Sequence, residues 1–327
     1  MYNVADIVAV FCFVGKFVAR IKVKAMHGKL CTTSHFIATN RGSFLNRNIN
    51  GEIFWVFAVC LVLVLSMVRP SFAESVIREP NFDSADGKIS EFNGSYRLLS
   101  EGGRKFNMPY QGQSEEPKFS NRASRPGGRS LKLTIGPSAP GQKENDRSEF
   151  TLMHQGDPSG LHLGESRFIG FSIFFDEKSF PPPSGEIIVS QVWQAYKEKK
   201  TGPPAFIVMV PGKDDLSFIL ATRDDTSEKS TQVPLGHVHF LRNKWNSVVL
   251  HVLPRAVNDP SGPGEIQMWL NGKYLGGAHR PWGYAVPNSV NAFDVRVGLY
   301  GNPQPMAHSV WIDQVRWGMT QESVTPN

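Results

Sequence analysis

Alternation of apolar and polar side chains with a period of two dominates the chain beyond residue 128. Ten segments show it, or are rich in β-branched and aromatic residues: Ser130–Ile135, Arg147–Met153, Phe168–Phe175, Glu186–Gln194, Ala205–Val210, Leu216–Ala221, Trp245–Leu253, Glu265–Leu270, Phe293–Tyr300 and Ser309–Trp317. Clusters of Gly, Pro, Asn and Asp separate them. Successive side chains of a strand point to opposite faces, so these segments predict strands with one face buried. Asn271-Gly272, between Met268-Trp269-Leu270 and Lys273-Tyr274-Leu275, predicts a tight hairpin, because the favoured two-residue turn needs positive φ at both positions. No segment carries an amphipathic helix of three turns. Short strands spaced by turns predict an all-β fold, a two-sheet sandwich of jelly-roll type, in one domain over residues 74–327. Residues 74 to about 128 are richer in Gly, Ser, Asn, Pro and charge, and predict one or two edge strands plus loops.

The first 73 residues have a different texture. Ile53–Val68 is an apolar run of 16 residues, preceded by Arg41 and Arg47 and followed by Ser71-Phe72-Ala73. A positive flank, a short apolar core and a small-x-small end are the parts of a secretory signal, so residues 53–73 predict export with cleavage after Ala73. A membrane anchor is the alternative, although 16 residues fall short of the roughly 20 that span a bilayer. Residues 1–52 form an odd leader in front of a signal. An upstream-extended start explains them most simply, the alternative being a cytoplasmic tail on an uncleaved anchor, and no fold is expected from them.

This division changes the reading of the charge. The chain carries 35 Lys and Arg against 29 Asp and Glu, but residues 1–73 hold eight basic residues and two acidic ones, leaving 27 of each sign in residues 74–327. The basic balance therefore belongs to the leader and does not argue for nucleic-acid binding. Cys12, Cys31 and Cys60 also precede residue 74, so the exported part is neither a thiol enzyme nor a disulfide scaffold.

Four short sequences then stand out in order: Gly128-Arg129-Ser130-Leu131-Lys132-Leu133, Asp146-Arg147-Ser148-Glu149-Phe150, Ser190-Gln191-Val192-Trp193-Gln194 and Arg296-Val297-Gly298-Leu299-Tyr300. Between and after them lie Gly170-Phe171-Ser172-Ile173, Lys244-Trp245-Asn246, Trp269-Leu270-Asn271-Gly272-Lys273 and Val310-Trp311-Ile312-Asp313-Gln314-Val315. Over residues 78–318 this set resembles the heparin-lyase-I-like polysaccharide lyases. It resembles more distantly the alginate and glucuronan lyases of concanavalin-like jelly-roll fold. The resemblance implies a concave groove for an acidic polysaccharide, lined by an Arg-Ser-Glu, a Gln-x-His and a Lys-x-Gly-x-Tyr strand. Here those patterns fall on Arg147 and Glu149, on Gln191, and on Arg296 with Tyr300. The chain departs from them twice: Trp193 stands where the family has His, and Arg296 where it has Lys.

The implied reaction is a β-elimination that removes the C5 proton of a uronate and expels the 4-O-linked sugar. That proton is a poor acid while the neighbouring carboxylate is negative, so donors must take up the charge that develops there. The planar fork of Arg147 and the amide of Gln191 suit this task, and Tyr300 is the candidate base and acid. Arg147 and Glu149 share a strand face, as do Gln191 and Trp193. Arg296 lies four positions from Tyr300, about 13 Å along a strand, so Arg147 is the cation expected beside the phenol. Arg296, Trp193, Glu149 and His154 are expected to bind or frame the substrate, with Trp193 stacking on a sugar ring and Glu149 orienting Arg147. The enzyme is expected to act as a monomer, with no metal, cofactor, nucleic acid or obligate protein partner. His237 and His239 lack a third ligand at metal spacing. Two rivals remain open. One is a non-catalytic carbohydrate-binding jelly roll, favoured by Trp193; the other is a glycoside hydrolase, which needs two carboxylates about 5–10 Å apart and has only Glu149 and Glu186 on strands.

Overall fold

The computed structural model describes residues 76–78, 80, 82–83, 87–93, 95–101, 104–112, 114–123, 128–152, 161–194, 202–211, 216–224, 226–285 and 292–327. The leader, the signal segment and His154 lie outside them. In chain order the first strands are β1 (Val76–Arg78), β2 (Lys88–Asn93), β3 (Tyr96–Glu101), β4 (Arg104–Gln111), β5 (Glu115–Ser120), β6 (Ser130–Ile135), β7 (Asp146–Thr151), β8 (Leu161–His162), β9 (Arg167–Phe175) and β10 (Ile187–Gln194). They continue as β11 (Ala205–Met209), β12 (Ser217–Asp224), β13 (Ser227–Gln232), β14 (Val238–His239), β15 (Trp245–Leu253), β16 (Glu265–Leu270), β17 (Lys273–His279), β18 (Ala292–Gly301) and β19 (His308–Gly318). A single helical turn, α1 (Gln321–Val324), follows, with Thr320 as its N-cap.

The strands form two antiparallel sheets. The smaller runs β17-β16-β15-β9-β19-β6-β5, with β1 added on β19; the larger runs β13-β12-β11-β10-β18-β7-β4-β3-β2, with β14 on β12 and β8 on β18. The chain passes from one sheet to the other between β1 and β2, β4 and β5, β6 and β7, β8 and β9, β9 and β10, β14 and β15, β17 and β18, and β18 and β19. This is the jelly-roll-type sandwich expected from the strand pattern. Its core lies between the sheets and follows the period of two. Ile169, Phe171, Ile173 and Phe175 of β9 face Val295, Val297 and Leu299 of β18, all at most 1% exposed. Burying each such side chain contributes about 1.5–3 kcal/mol.

All ten expected strands are present, and Ser130–Ile135, Trp245–Leu253 and Glu265–Leu270 coincide with β6, β15 and β16. The hairpin joins β16 to β17, with Asn271 at φ +51° and Gly272 at φ +77°. The region before residue 128 differs from expectation: it supplies five strands, and β4 pairs directly with β7 in the larger sheet. Its alternation was obscured because Arg97 occupies an inward position beside Leu99. The guanidinium of Arg97 is paired with Glu116 and lies 4.7 Å from the Tyr110 ring, which makes burial of a charge tolerable there.

Candidate active site

Strand register assembles the site. β18 lies between β7 and β10, and it pairs Tyr300 with Arg147, Gly298 with Glu149 and Arg296 with Thr151. On its other edge Arg296 pairs with Gln191, and Asp294 with Trp193. Directly opposed residues of antiparallel strands project from the same face. Arg147, Glu149, Tyr300, Arg296, Gln191 and Trp193 therefore share the outward face of the larger sheet, while Phe150, Val192, Val297 and Leu299 fill the core behind them.

Two charged clusters occupy that face. In the first, Glu149 is 1% exposed, and its Oε1 accepts a hydrogen bond from Gln191 Nε2 at 2.5 Å. Its Oε2 lies 3.3 Å from Arg147 Nε. The Arg147 guanidinium in turn sits 4.5 Å from the centre of the Tyr300 ring, and Tyr300 Oη accepts from Asn145 Nδ2 at 3.0 Å. A carboxylate this buried is tolerable only because a cation and an amide donor both engage it. Glu149 holds Gln191 through this hydrogen bond and Arg147 through charge, whereas Arg147, Tyr300 and Trp193 remain partly exposed. In the second cluster Arg296 Nη2 donates to Asp294 Oδ2 at 3.0 Å, and its guanidinium lies 4.6 Å from the Trp193 ring.

Gly298 separates the two clusters. It has φ +148°, and a Cβ there would lie 2.5 Å from the Ser148 carbonyl oxygen and 2.7 Å from Glu149 Cα. Only glycine permits this close approach of β7 and β18.

Other cations and carboxylates are arranged differently. Arg223 of β12 lies 4.6 Å from the ring of Phe206, the β11 residue that pairs with Gln191, so it extends the cationic row across the same face. Arg280 is tied instead to Thr222 Oγ1 at 3.0 Å and the Thr231 carbonyl at 2.6 Å, and burial pushes its pKa down. Glu186 is exposed just before β10, whereas Glu149 and Asp294 are both ion-paired with arginine. His237 Nδ1 lies 2.6 Å from Ser217 Oγ, and among the described residues no group of three His, Cys, Asp or Glu side chains forms a metal site. Two members of the site escaped the sequence reading, Asn145 and Asp294. Spacing alone could have found them, since Asn145 is two positions before Arg147 and Asp294 two before Arg296.

Residues 98–316 match the family model described as polysaccharide lyase. No curated protein matches the sequence. Among solved structures the chain is similar to an endo-beta-1,4-glucuronan lyase from the fungus Trichoderma reesei, with a TM-score of 0.54 and 18% identity, covering 77% of this chain and 99% of that one. It is also similar to the catalytic domain of a glycoside hydrolase family 131 protein from Coprinopsis cinerea, at TM-score 0.45 and 13% identity over 77% and 98% of the two chains. A third similar structure is a PL-14 alginate lyase from Aplysia kurodai, at TM-score 0.44 and 12% identity over 63% and 87%. At 18% identity the likeness to the glucuronan lyase is one of fold.

Proposed function

We propose that this chain, which belongs to the polysaccharide lyase family, cleaves a uronic-acid polymer by β-elimination with Tyr300 as both base and acid. The observation that carries the reading is the cross-strand pairing of Arg147 with Tyr300, which sets a guanidinium 4.5 Å from the phenol ring on a partly exposed face. In a uronate the C5 carbon is bonded to the carboxyl carbon. A base for the C5 proton and a cation for the carboxylate must therefore stand within a few ångströms of each other.

In this reading Arg147 binds the carboxylate and, with Gln191, takes up the charge that builds on it as C5 loses its proton. Tyr300, as phenolate, takes that proton. The C5–H electrons become the C4–C5 double bond, the C4–O4 bond breaks, and the departing O4 takes the proton back from Tyr300. Glu149 positions Arg147 and Gln191, while Arg296 and Trp193 bind a neighbouring sugar. Because one group takes and returns the proton from one side, H5 and O4 must lie on the same side of the ring. Glucuronate and mannuronate meet this condition; guluronate, galacturonate and iduronate do not. The zero net charge of residues 74–327 further disfavours heavily sulfated polymers of the heparin type.

The test follows the ultraviolet absorbance of the new double bond, with the full chain and glucuronan, polymannuronate, polyguluronate, polygalacturonate and heparin. Absorbance is expected to rise with glucuronan or polymannuronate. Tyr300→Phe is expected to lower the rate by about 10²–10⁴-fold with polymer binding retained. Binding without any absorbance change across the panel would overturn the reading.

A further inference from the structure

We propose that Asn145 is a positioning residue for the Tyr300 phenol, fixing where its oxygen and its hydroxyl hydrogen lie for proton abstraction and return. The inference rests on the β-elimination reading above. Its geometric basis is the 3.0 Å bond from Asn145 Nδ2 to Tyr300 Oη.

The chemistry of the two groups gives this contact a direction. An amide NH₂ only donates, so the phenol oxygen accepts from it whether the phenol is neutral or ionised. In the neutral phenol the amide N–H takes an acceptor position at Oη, so the hydroxyl hydrogen must point away from Asn145, and this limits the directions in which the proton is returned to the leaving oxygen. Arg147 acts on the ring face and Asn145 on the oxygen itself, so the two contacts do not compete.

Asn145 is also built in place. It precedes β7 by one residue and shares a face with Arg147 and Glu149 by strand parity. Its backbone carbonyl accepts from Gln111 Nε2 at 3.2 Å. The next residue, Asp146, is fully buried; it accepts from Ser138 Oγ at 2.5 Å and Gln142 Nε2 at 2.8 Å, and pairs across the strands with Gly301. A turn pinned on both sides of the amide holds the side chain against the phenol. A surface asparagine with no role in the reaction needs no such support.

The test is a double-mutant cycle on the full chain with Asn145→Ala, Tyr300→Phe and the pair, read both by thermal unfolding and by turnover on whichever polymer is cleaved. In unfolding, the two changes are expected to be non-additive, because each removes the same hydrogen bond. In turnover, Asn145→Ala is expected to lower kcat by about 10–100-fold with KM within about threefold. Asn145→Asp, which replaces the donor by an acceptor, is expected not to restore kcat. Additive unfolding effects, or a loss of stability with kcat unchanged, would overturn the assignment. If no polymer is cleaved, the lyase reading fails, and the unfolding cycle still decides whether Asn145 holds Tyr300.

Discussion

The two sheets each turn one face away from the shared core, and those faces are built differently. On the larger sheet, Arg147, Glu149, Gln191, Asp294 and Arg296 form ion pairs and hydrogen bonds, with two carboxylates at most 4% exposed. On the smaller sheet, aromatic rings do the covering. Trp245, Phe174 and Trp311 follow one another at 5.6 and 6.0 Å, and Phe168, Trp269 and Tyr274 at 6.4 and 5.1 Å. Arg122 and Lys132 lie over the Trp311 ring, and Val324 of α1 is fully buried. The aromatic face is what packing alone favours. Burying a charge pair is often no more stabilising than burying apolar groups of the same volume, so the charged face reads as the one shaped for chemistry.

The contrast is most directly broken at Glu149. Glu149→Ala removes the acceptor of the buried Gln191 amide and the counter-charge of the partly exposed Arg147, and denaturant unfolding is expected to show a loss of about 3–5 kcal/mol together with loss of turnover. Tyr274→Ala, on the opposite face, is expected to change stability by no more than about 0.5 kcal/mol and to leave turnover intact. Equal effects of the two changes would erase the distinction between the faces.

A smaller effect is expected at Trp193, whose ring is covered on one side by Arg296. Trp193→Ala is expected to raise KM for the cleaved polymer about three- to tenfold with kcat nearly unchanged, as for a group that binds substrate and transition state alike. Steady-state kinetics decide this, and a fall in kcat at constant KM would move Trp193 into the chemical step.

The smallest effect sharpens the comparison through pH. His251 and His308 both lie on strands of the smaller sheet, and burial is the main reason that each has its pKa lowered from 6.5. Glu265 partly offsets this at His251, as do the carbonyls of Met306 and Pro181 at His308. A histidine with a depressed folded value binds fewer protons folded than unfolded. Its contribution is therefore complete above pH 6.5 and is lost as the pH falls below that value. Thermal unfolding between pH 7.5 and 5.5 is expected to show a midpoint lower by a few degrees at the acid end. The slope is expected to be smaller in His308→Gln; an unchanged slope would remove His308 from the account.

Much of the fold was legible in the sequence because strand pattern is local. The period of two in Phe168–Phe175 and Phe293–Tyr300 marks both the strand and its buried side, and Asn271-Gly272 marks its turn by the φ values it tolerates. Strands β3 and β4 were less legible, since Arg97 and Pro109 break the apolar rhythm of segments whose burial depends on partners elsewhere. Part of the site was equally local. Parity alone places Arg147 with Glu149 and Gln191 with Trp193.

What the sequence determined by itself is therefore the identity of the strands, the side each residue faces and the residue types offered to a substrate. Which of those residues meet was decided by the tertiary structure, because register between strands far apart in the chain is set by how two sheets pack on one core. That register sets Arg147, and not Arg296, against Tyr300, hands Gln191 to Glu149, and brings together Asn145 and Tyr300 across 155 positions. No local preference encodes such a pairing; it follows only when the inward side chains of β6, β9, β10 and β18 have found their common interior.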